Sequence, residues 1–306
     1  MKHIKFGKTD LAAPAVMVGC MRMRDLDVPQ AAALVEKALS LGCNWFDHAD
    51  IYGNGQSHKT FARAVKELGV PRESLFIQSK CGIVRGMGYD SSCRHILAAV
   101  DQILRELDTD YLDCLLLHRP DLLLEPEEVA EAFTRLEESG KVRLFGVSNY
   151  RAMTLKLLQK YLDQPVQANQ LQFSLAHAGM LRAQAQANTL ADGAADLDGQ
   201  ILDYCRLEDV TIQTWSPFQY GMFGGVFLDS PLYPQLNAML EELSEVYDAD
   251  KTALAAAWIL RHPAGMQVIA GTTRPERLES VCRGAELDLR REDWYRLYKA
   301  AGNHLP

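Results

Sequence analysis

Four side chains in this sequence could together deliver a proton to a reacting oxygen, and they come from three short segments. The first, DHADIYGNG at 47–55, supplies Asp47 and Tyr52, with His48 and Asp50 between them. The second, IQSKCG, places Lys80 at the end of a strand-like run, and the third, LLLHRP, does the same for His118. A tyrosine with its ordinary pKa of about 10 is a reluctant acid at neutral pH, but a neighbouring ammonium favours the phenolate and lowers that value. A carboxylate can hold a lysine in place, and a histidine can donate to a substrate oxygen. The set suits general-acid chemistry on an oxygen that gains charge during reaction. Taken alone, each member has a plainer reading. Asp and Asn-Gly form turns, a lysine is usually a surface charge, and a histidine after an apolar run is usually structural.

Such residues cooperate only if the fold brings three strand ends to one place. Short β-rich runs alternate with segments of helical period along the chain. Strands are predicted over 15–20, 44–47, 75–80, 112–118, 142–147, 166–171, 210–215 and 267–270. The helices expected between and after them span 30–41, 57–68, 92–107, 127–139, 152–161, 198–206, 236–247 with 251–261, and 275–282. Eight strand and helix units with connections too short for a second core favour a (β/α)8 TIM barrel over an open doubly wound sheet. Residues 1–306 are therefore expected to form a single domain with enlarged βα loops. Catalytic groups of such barrels leave the C-terminal ends of the strands, where Asp47, Tyr52, Lys80 and His118 would stand. Two long segments follow strands, 176–199 and 219–234. The first reads equally as a lid or as a tolerated surface loop. GMFGG at 221–225 reads either as backbone that approaches a pyrophosphate or as a flexible loop.

Composition narrows the function further. With 48% hydrophobic and 24% charged residues the chain can build a large core, and 40 acidic against 32 basic residues give a net charge of -8. That balance excludes an electrostatic footprint for nucleic acid or an anionic membrane. No apolar run reaches the ~18 residues of a membrane span, and MKHIKFGKTD lacks the apolar stretch of a signal peptide, so a cytoplasmic protein is expected. Seven cysteines stand singly at 20, 43, 81, 93, 114, 205 and 282, with no CxxC pair, and read as buried thiols. A metal-dependent hydrolase built on Asp47, His48, Asp50 and His118 lacks a His-x-His pair or a clear further ligand, so no metal is expected. GxGxxG is absent, which removes support for a Rossmann fold.

The segments that carry the chemistry resemble the aldo-keto reductase superfamily, and the resemblance covers nearly the whole chain. The family's aspartate, tyrosine, lysine and histidine match Asp47 and Tyr52 in DHADIYGNG, Lys80 in IQSKCG and His118 in LDTDYLDCLLLHRPD, in the family's order. FGKTDLAAPAVMVGCMRM, ESGKVRLFGVSNY and GTTRPERLE are similar to further family signatures. The Phe173, Ser174, Leu175 segment and DGAADLD are most similar to a bacterial branch of oxidoreductases without a well-defined substrate.

The resemblance implies NADPH-dependent reduction of an aldehyde or ketone to an alcohol. Tyr52 would donate the proton, Lys80 tune it, Asp47 position Lys80 and His118 orient the carbonyl. It also implies that Ser148, Asn149 and Gln170 hydrogen-bond the nicotinamide carboxamide. Trp215, followed by Ser216 and Pro217, would stack on the nicotinamide ring, where relatives usually carry tyrosine. Thr272, Thr273, Arg274 and Arg277, around the start of the last expected helix, would hold the 2′-phosphate of NADP(H). Two departures bear on that preference: Gly271 replaces a frequent lysine, and Ser280 and Val281 align with a Glu-Asn pair near the adenine. A different reading stays open, a nicotinamide-binding regulatory protein like the β subunits of potassium channels, since fold and cofactor binding do not prove turnover. The partner expected is a small carbonyl substrate, selected by the loops 83–91, 119–126 and 176–199.

Overall fold

A computed structural model of the chain describes residues 1–306 except Asp198 and Phe223. Eight parallel strands run β1 (Val16–Gly19), β2 (Trp45–Asp47), β3 (Phe76–Cys81), β4 (Leu112–Leu117), β5 (Val142–Ser148), β6 (Val166–Gln172), β7 (Thr211–Trp215) and β8 (Gln267–Ala270). They pair in chain order and close into a barrel when β8 returns to β1, as the alternation predicts. Outside the strands pack α1 (Val28–Ser40), α2 (Gln56–Leu68), α3 (Cys93–Leu107), α4 (Pro126–Glu138) and α5 (Ala152–Gln159). Then come α6 (Gly179–Ala185), α7 (Ile201–Leu207), α8 (Pro234–Tyr247), α9 (Lys251–Leu260), α10 (Pro275–Gly284) and α11 (Arg291–Ala300).

Local chemistry sets where the helices begin. Asp27 accepts from the Gln30 amide at 2.9 Å while the Gln30 side chain accepts from the Asp27 amide at 3.1 Å, a reciprocal cap that opens α1. Ser92 opens α3 and Asp250 opens α9 in the simpler one-way form. The strands then present two faces with a period of two. Phe46, Ile77, Leu115, Leu117, Phe145, Val147, Ile212 and Val268 point outward and join the helices in the main core. Burying such a side chain contributes about 1.5–3 kcal/mol. The opposite phase fills the barrel with Met17, Trp45, Phe76, Cys114, Leu116, Ala168 and Ile269. Gly146 leaves the space that Leu116 occupies, since a Cβ there would lie 2.8 Å from the Ala168 carbonyl oxygen and closer still to Leu116. Asp47 stands two residues after Trp45, Lys80 four after Phe76, and His118 two after Leu116, so all three share the inward phase.

Several elements lie outside what periodicity predicts. An N-terminal hairpin (His3–Lys5 with Ala12–Pro14) carries Phe6 onto Trp45 and Phe76, with ring centroids 4.9 and 5.8 Å apart, and plugs the end of the barrel where those strands begin. Ile83–Val84 and Gly88–Tyr89 form a second hairpin just after β3. Strands of two or three residues are too short to show alternation, and α6 and α11 also went unpredicted. The helix expected from 198 begins at Ile201; Asp198 itself lies outside the described residues. The described residues of 176–199 include α6 and a 3-10 turn at Asp192–Ala194, and Gln186 Nε2 donates to the His304 carbonyl at 3.2 Å.

Candidate active site

The C-terminal strand ends surround a cavity of about 630 Å³ that runs from Tyr52 and His118 past Trp215 to Arg274 and Arg277. At its floor Lys80 is almost fully buried and all three of its N–H groups are used. Nζ donates to Asp47 Oδ2 at 2.8 Å, to the His48 carbonyl at 2.7 Å and to the Tyr52 hydroxyl oxygen at 3.2 Å. Burial pushes the lysine toward losing its proton, but Asp47 and Tyr52 outweigh it and the pKa stands above the ordinary lysine value. The lysine is therefore an ammonium at neutral pH.

Asp47 is held from its other side. Its Oδ1 accepts from Gln78 Nε2 at 2.7 Å and from Gln170 Nε2 at 2.6 Å. The amides continue across the barrel, from Gln78 and Gln170 to Gln213 Oε1 and from Gln213 Nε2 to Gln267 Oε1 at 2.9 Å. Gln267 Nε2 ends the chain on the Pro14 carbonyl at 2.8 Å. Sequence reasoning missed Gln78, Gln213 and Gln267. Their signal was available, because amides at interior strand positions need partners, and Gln78 shares its phase with Lys80 two residues later. Gln170 lines the cavity as expected, yet its amide nitrogen is committed to Asp47 and Gln213.

Tyr52 corrects one expectation. Burial pushes its phenol up, Asp47 adds to that, and together they outweigh the pull of Lys80, so the pKa stands above the ordinary tyrosine value rather than below it. The ammonium's charge is largely offset by its own carboxylate, which leaves desolvation in control. The phenol is protonated at neutral pH. His118 faces it, the two ring centroids lying 6.0 Å apart at 84°. Burial first, then the Lys80 and Arg119 charges, hold the His118 pKa well below the ordinary histidine value, and its Nδ1 has no partner among the described residues. His118 is thus a neutral imidazole.

The other polar residues of DHADIYGNG are not in the cavity. His48 is fully buried on the outward phase with its ring edge-on to Phe61, 4.7 Å between centroids, and only its carbonyl reaches Lys80. Burial, then His58 and Lys80, push its pKa well down. Burial pushes the Asp50 carboxyl up to about 7, against the opposing pull of the Ile51 amide and Lys80. Among the described residues no three His, Cys, Asp or Glu side chains converge as a metal site.

Ser148, Asn149, Gln170, Trp215, Ser216, Pro217, Thr272, Thr273, Arg274 and Arg277 all line the cavity. Asn149 and Ser216 take left-handed backbone at the ends of β5 and β7, with φ of 61° and 50°. This bend turns the Asn149 side chain onto its neighbours: Nδ2 donates to Ser148 Oγ at 2.7 Å and Oδ1 accepts from Trp215 Nε1 at 3.2 Å. The Trp215 ring is thereby fixed by its edge, leaving its faces for packing. Arg274 begins α10, where the Thr272 hydroxyl accepts from its amide at 3.0 Å. Val281, one of the departures from the family pattern, lines the cavity, as do Arg22, Asp229 and Thr252, which were not singled out from the sequence.

The two long loops differ in role. None of the described residues of 176–199 lines the cavity, whereas Gln219, Met222, Val226, Leu228 and Asp229 of the second loop do. Within GMFGG, Phe223 lies outside the described residues. Gly225, with φ of 129°, packs under Tyr220, whose hydroxyl would stand 2.5 Å from a Cβ at that position. That close contact accounts for the glycine without a pyrophosphate.

Comparison with known proteins places this arrangement among relatives. Residues 15–301 match the model of the Aldo/keto reductase family. Uncharacterized oxidoreductase YcsN of Bacillus subtilis (strain 168) is 33% identical over 98% of this chain and 98% of its own length. Oxidoreductase YdhF of Escherichia coli (strain K12) is 34% identical over 93% of this chain and 92% of its own length. In fold, the chain is similar to an aldo-keto reductase from Klebsiella pneumoniae solved in complex with NADPH. The TM-score is 0.78 at 23% identity, covering 97% of this chain and 94% of that one.

Proposed function

The chain belongs to the aldo/keto reductase family, and on that premise we propose that it reduces an aldehyde or ketone to an alcohol with NADPH, Tyr52 donating the proton. The observation that carries this reading is the saturated Lys80 ammonium. Because Nζ donates to the Tyr52 oxygen at 3.2 Å, the phenol's own proton must point elsewhere, and the cavity is on that side. As the proton leaves, the ammonium stabilises the phenolate left behind. Asp47 holds Lys80 in place and is itself held by Gln78 and Gln170. Neutral His118 carries one ring N–H and can donate it to the carbonyl oxygen, fixing the substrate between itself and Tyr52.

The residues along the cavity suit a nicotinamide dinucleotide phosphate, which when bound supplies the hydride. Ser148 and Asn149 offer polar groups for a carboxamide, Gln170 offers its side-chain carbonyl oxygen, and Trp215 offers a flat face beside them. Ser216 and Pro217 carry the chain away from that face. At the far end Arg274 and Arg277 stand without an ion pair among the described residues, at the N-terminus of α10, with Thr272 and Thr273 beside them. Two guanidinium groups and a helix N-terminus suit a phosphate. Val281 lines the wall in place of a polar side chain, and a Cβ at Gly271 would meet open space, so the arginines carry the phosphate preference.

The test is to follow NADPH oxidation by the absorbance of the reduced nicotinamide across a panel of aldehydes, ketones and quinones. Turnover of carbonyl compounds supports the reading. Tight NADPH binding with no turnover of any panel member favours a regulatory protein instead.

A further inference from the structure

Beyond Tyr52 and His118 the cavity carries charge that the proposed reduction does not use. Arg119 follows His118 directly, and its guanidinium lies 5.8 Å from the centre of the Trp215 ring. Its hydrogen-bond partner is the thioether of Met222 at 3.6 Å, a weak acceptor. Arg85 sits at the tip of the Ile83–Val84 and Gly88–Tyr89 hairpin and donates to the Ile51 carbonyl at 2.7 Å, one residue before Tyr52. Both line the cavity. Neither has an ion pair with a carboxylate among the described residues, of the kind that holds Arg72 to Asp113 at 2.7 Å. The carboxylates that do line the cavity are already neutralised. Asp47 is bonded to Lys80 at 2.8 Å and Asp229 to Lys251 at 2.7 Å.

The Arg119 guanidinium, partly removed from water beside a weak neutral acceptor, has donors to spare, and its planar fork matches an oxyanion, while the exposed Arg85 adds a second positive charge to the cavity wall. The two arginines come from the loops after β3 and β4; Lys80 stands near the end of β3 and His118 directly follows β4. A molecule whose carbonyl oxygen lies between Tyr52 and His118 therefore extends toward Arg119 and Arg85. Arg274 and Arg277 follow β8, across the barrel from β4 and Arg119.

We propose, resting on the carbonyl-reductase reading, that the substrate is an anionic carbonyl compound whose carboxylate or phosphate is held by Arg119 with help from Arg85. The two arginines act on specificity: they hold the group remote from the reacting carbon.

Matched substrate pairs test this at saturating NADPH. Benzaldehyde against 4-carboxybenzaldehyde, and butanal against succinic semialdehyde, vary a carboxylate; glyceraldehyde against its 3-phosphate varies a phosphate. The wild-type enzyme is expected to favour the anionic member of at least one pair in kcat/KM, mainly through a lower KM, and the pairs distinguish carboxylate from phosphate. Arg119→Gln is expected to reduce that preference ~10-fold or more, the scale of one charge-assisted hydrogen bond. Arg85→Gln should reduce it less, and Arg119→Lys should restore part of it by returning charge without the fork. Equal kcat/KM within every pair, or variants that lower both members of a pair alike, overturns the proposal while leaving carbonyl reduction standing. No turnover of any aldehyde, neutral or charged, overturns the reductase reading and this inference with it.

Discussion

Lys80 Nζ donates to the Tyr52 hydroxyl oxygen at 3.2 Å from a site sealed beneath it. That single contact orients the phenol proton toward the cavity and places a cation beside the oxygen that would become negative if Tyr52 is the proposed donor. It also ties catalysis to a buried charge pair, and the pair has consequences for stability.

Lys80→Met should destabilise the protein as well as slow it. Asp47 is only 3% exposed, and without Lys80 it becomes an uncompensated buried charge, an arrangement that costs about 3–5 kcal/mol. Asp47→Asn combined with Lys80→Met removes both charges and should regain much of that loss, although turnover stays low. Denaturant melts of the two single variants and the double variant measure this. A double variant no more stable than Lys80→Met alone would show that Asp47 is not paying for an unpaired charge.

Asp50 gives a pH dependence with a defined sign. Its folded pKa is raised to about 7 by burial, against the ordinary aspartate value of about 4. Between those values the folded state binds more protons than the unfolded state, so this group's contribution to stability falls as pH rises from about 4 to about 7 and levels off above. Asp50→Asn should therefore melt several degrees higher than wild type at pH 8, with the gap closing toward pH 4. The buried histidines His48 and His118, whose pKa values are lowered, act oppositely below the ordinary histidine value, but they are common to both proteins and cancel in the comparison. A gap that does not change with pH contradicts the assignment.

Trp215 is the tryptophan that lines the cavity; Trp258 is buried against Phe173 and Trp294, and Trp45 lies at the other end of the barrel. NADPH should quench part of the tryptophan emission, and Trp215→Leu should remove that part. Quenching of unchanged amplitude in the variant places the nicotinamide elsewhere.

Arg274→Ala and Arg277→Ala should each weaken NADPH binding ~10-fold or more and leave NADH nearly unaffected, because only NADPH carries the extra phosphate. Fluorescence titration with both cofactors reads this directly. Equal wild-type affinity for NADPH and NADH rejects the phosphate role.

The barrel could be read from the sequence because it follows from local pattern, and the meeting of Asp47, Lys80 and His118 at its strand ends follows with it; the roles proposed for them came from the family resemblance. β-rich runs alternate with helical periods, and Asp47, Lys80 and His118 end three of those runs on the phase that faces inward. What escaped depends on partners distant in sequence. The Gln78, Gln170, Gln213 and Gln267 chain joins four strands, and its amides look unremarkable one at a time. The direction of the Tyr52 pKa was misjudged because charge attraction was weighed without the burial that opposes it. The 176–199 segment read as a candidate lid by length and position, but its partners are the C-terminal residues, as the contact of Gln186 with His304 shows. Arg85 and Arg119 do not stand out in the sequence, because only the folded chain brings them to the wall of the cavity.

The most direct test of the central claim is the kcat of Tyr52→Phe, measured on a carbonyl substrate that the wild type turns over, alongside its NADPH affinity. The substitution removes one hydroxyl and leaves the ring, the Asp47–Lys80 pair and the rest of the cavity wall in place. If Tyr52 is the proton donor, turnover falls by ~10²-fold to 10⁴-fold while NADPH binds as in the wild type. Turnover near the wild-type rate with NADPH bound contradicts the account and assigns the proton to another group in the cavity.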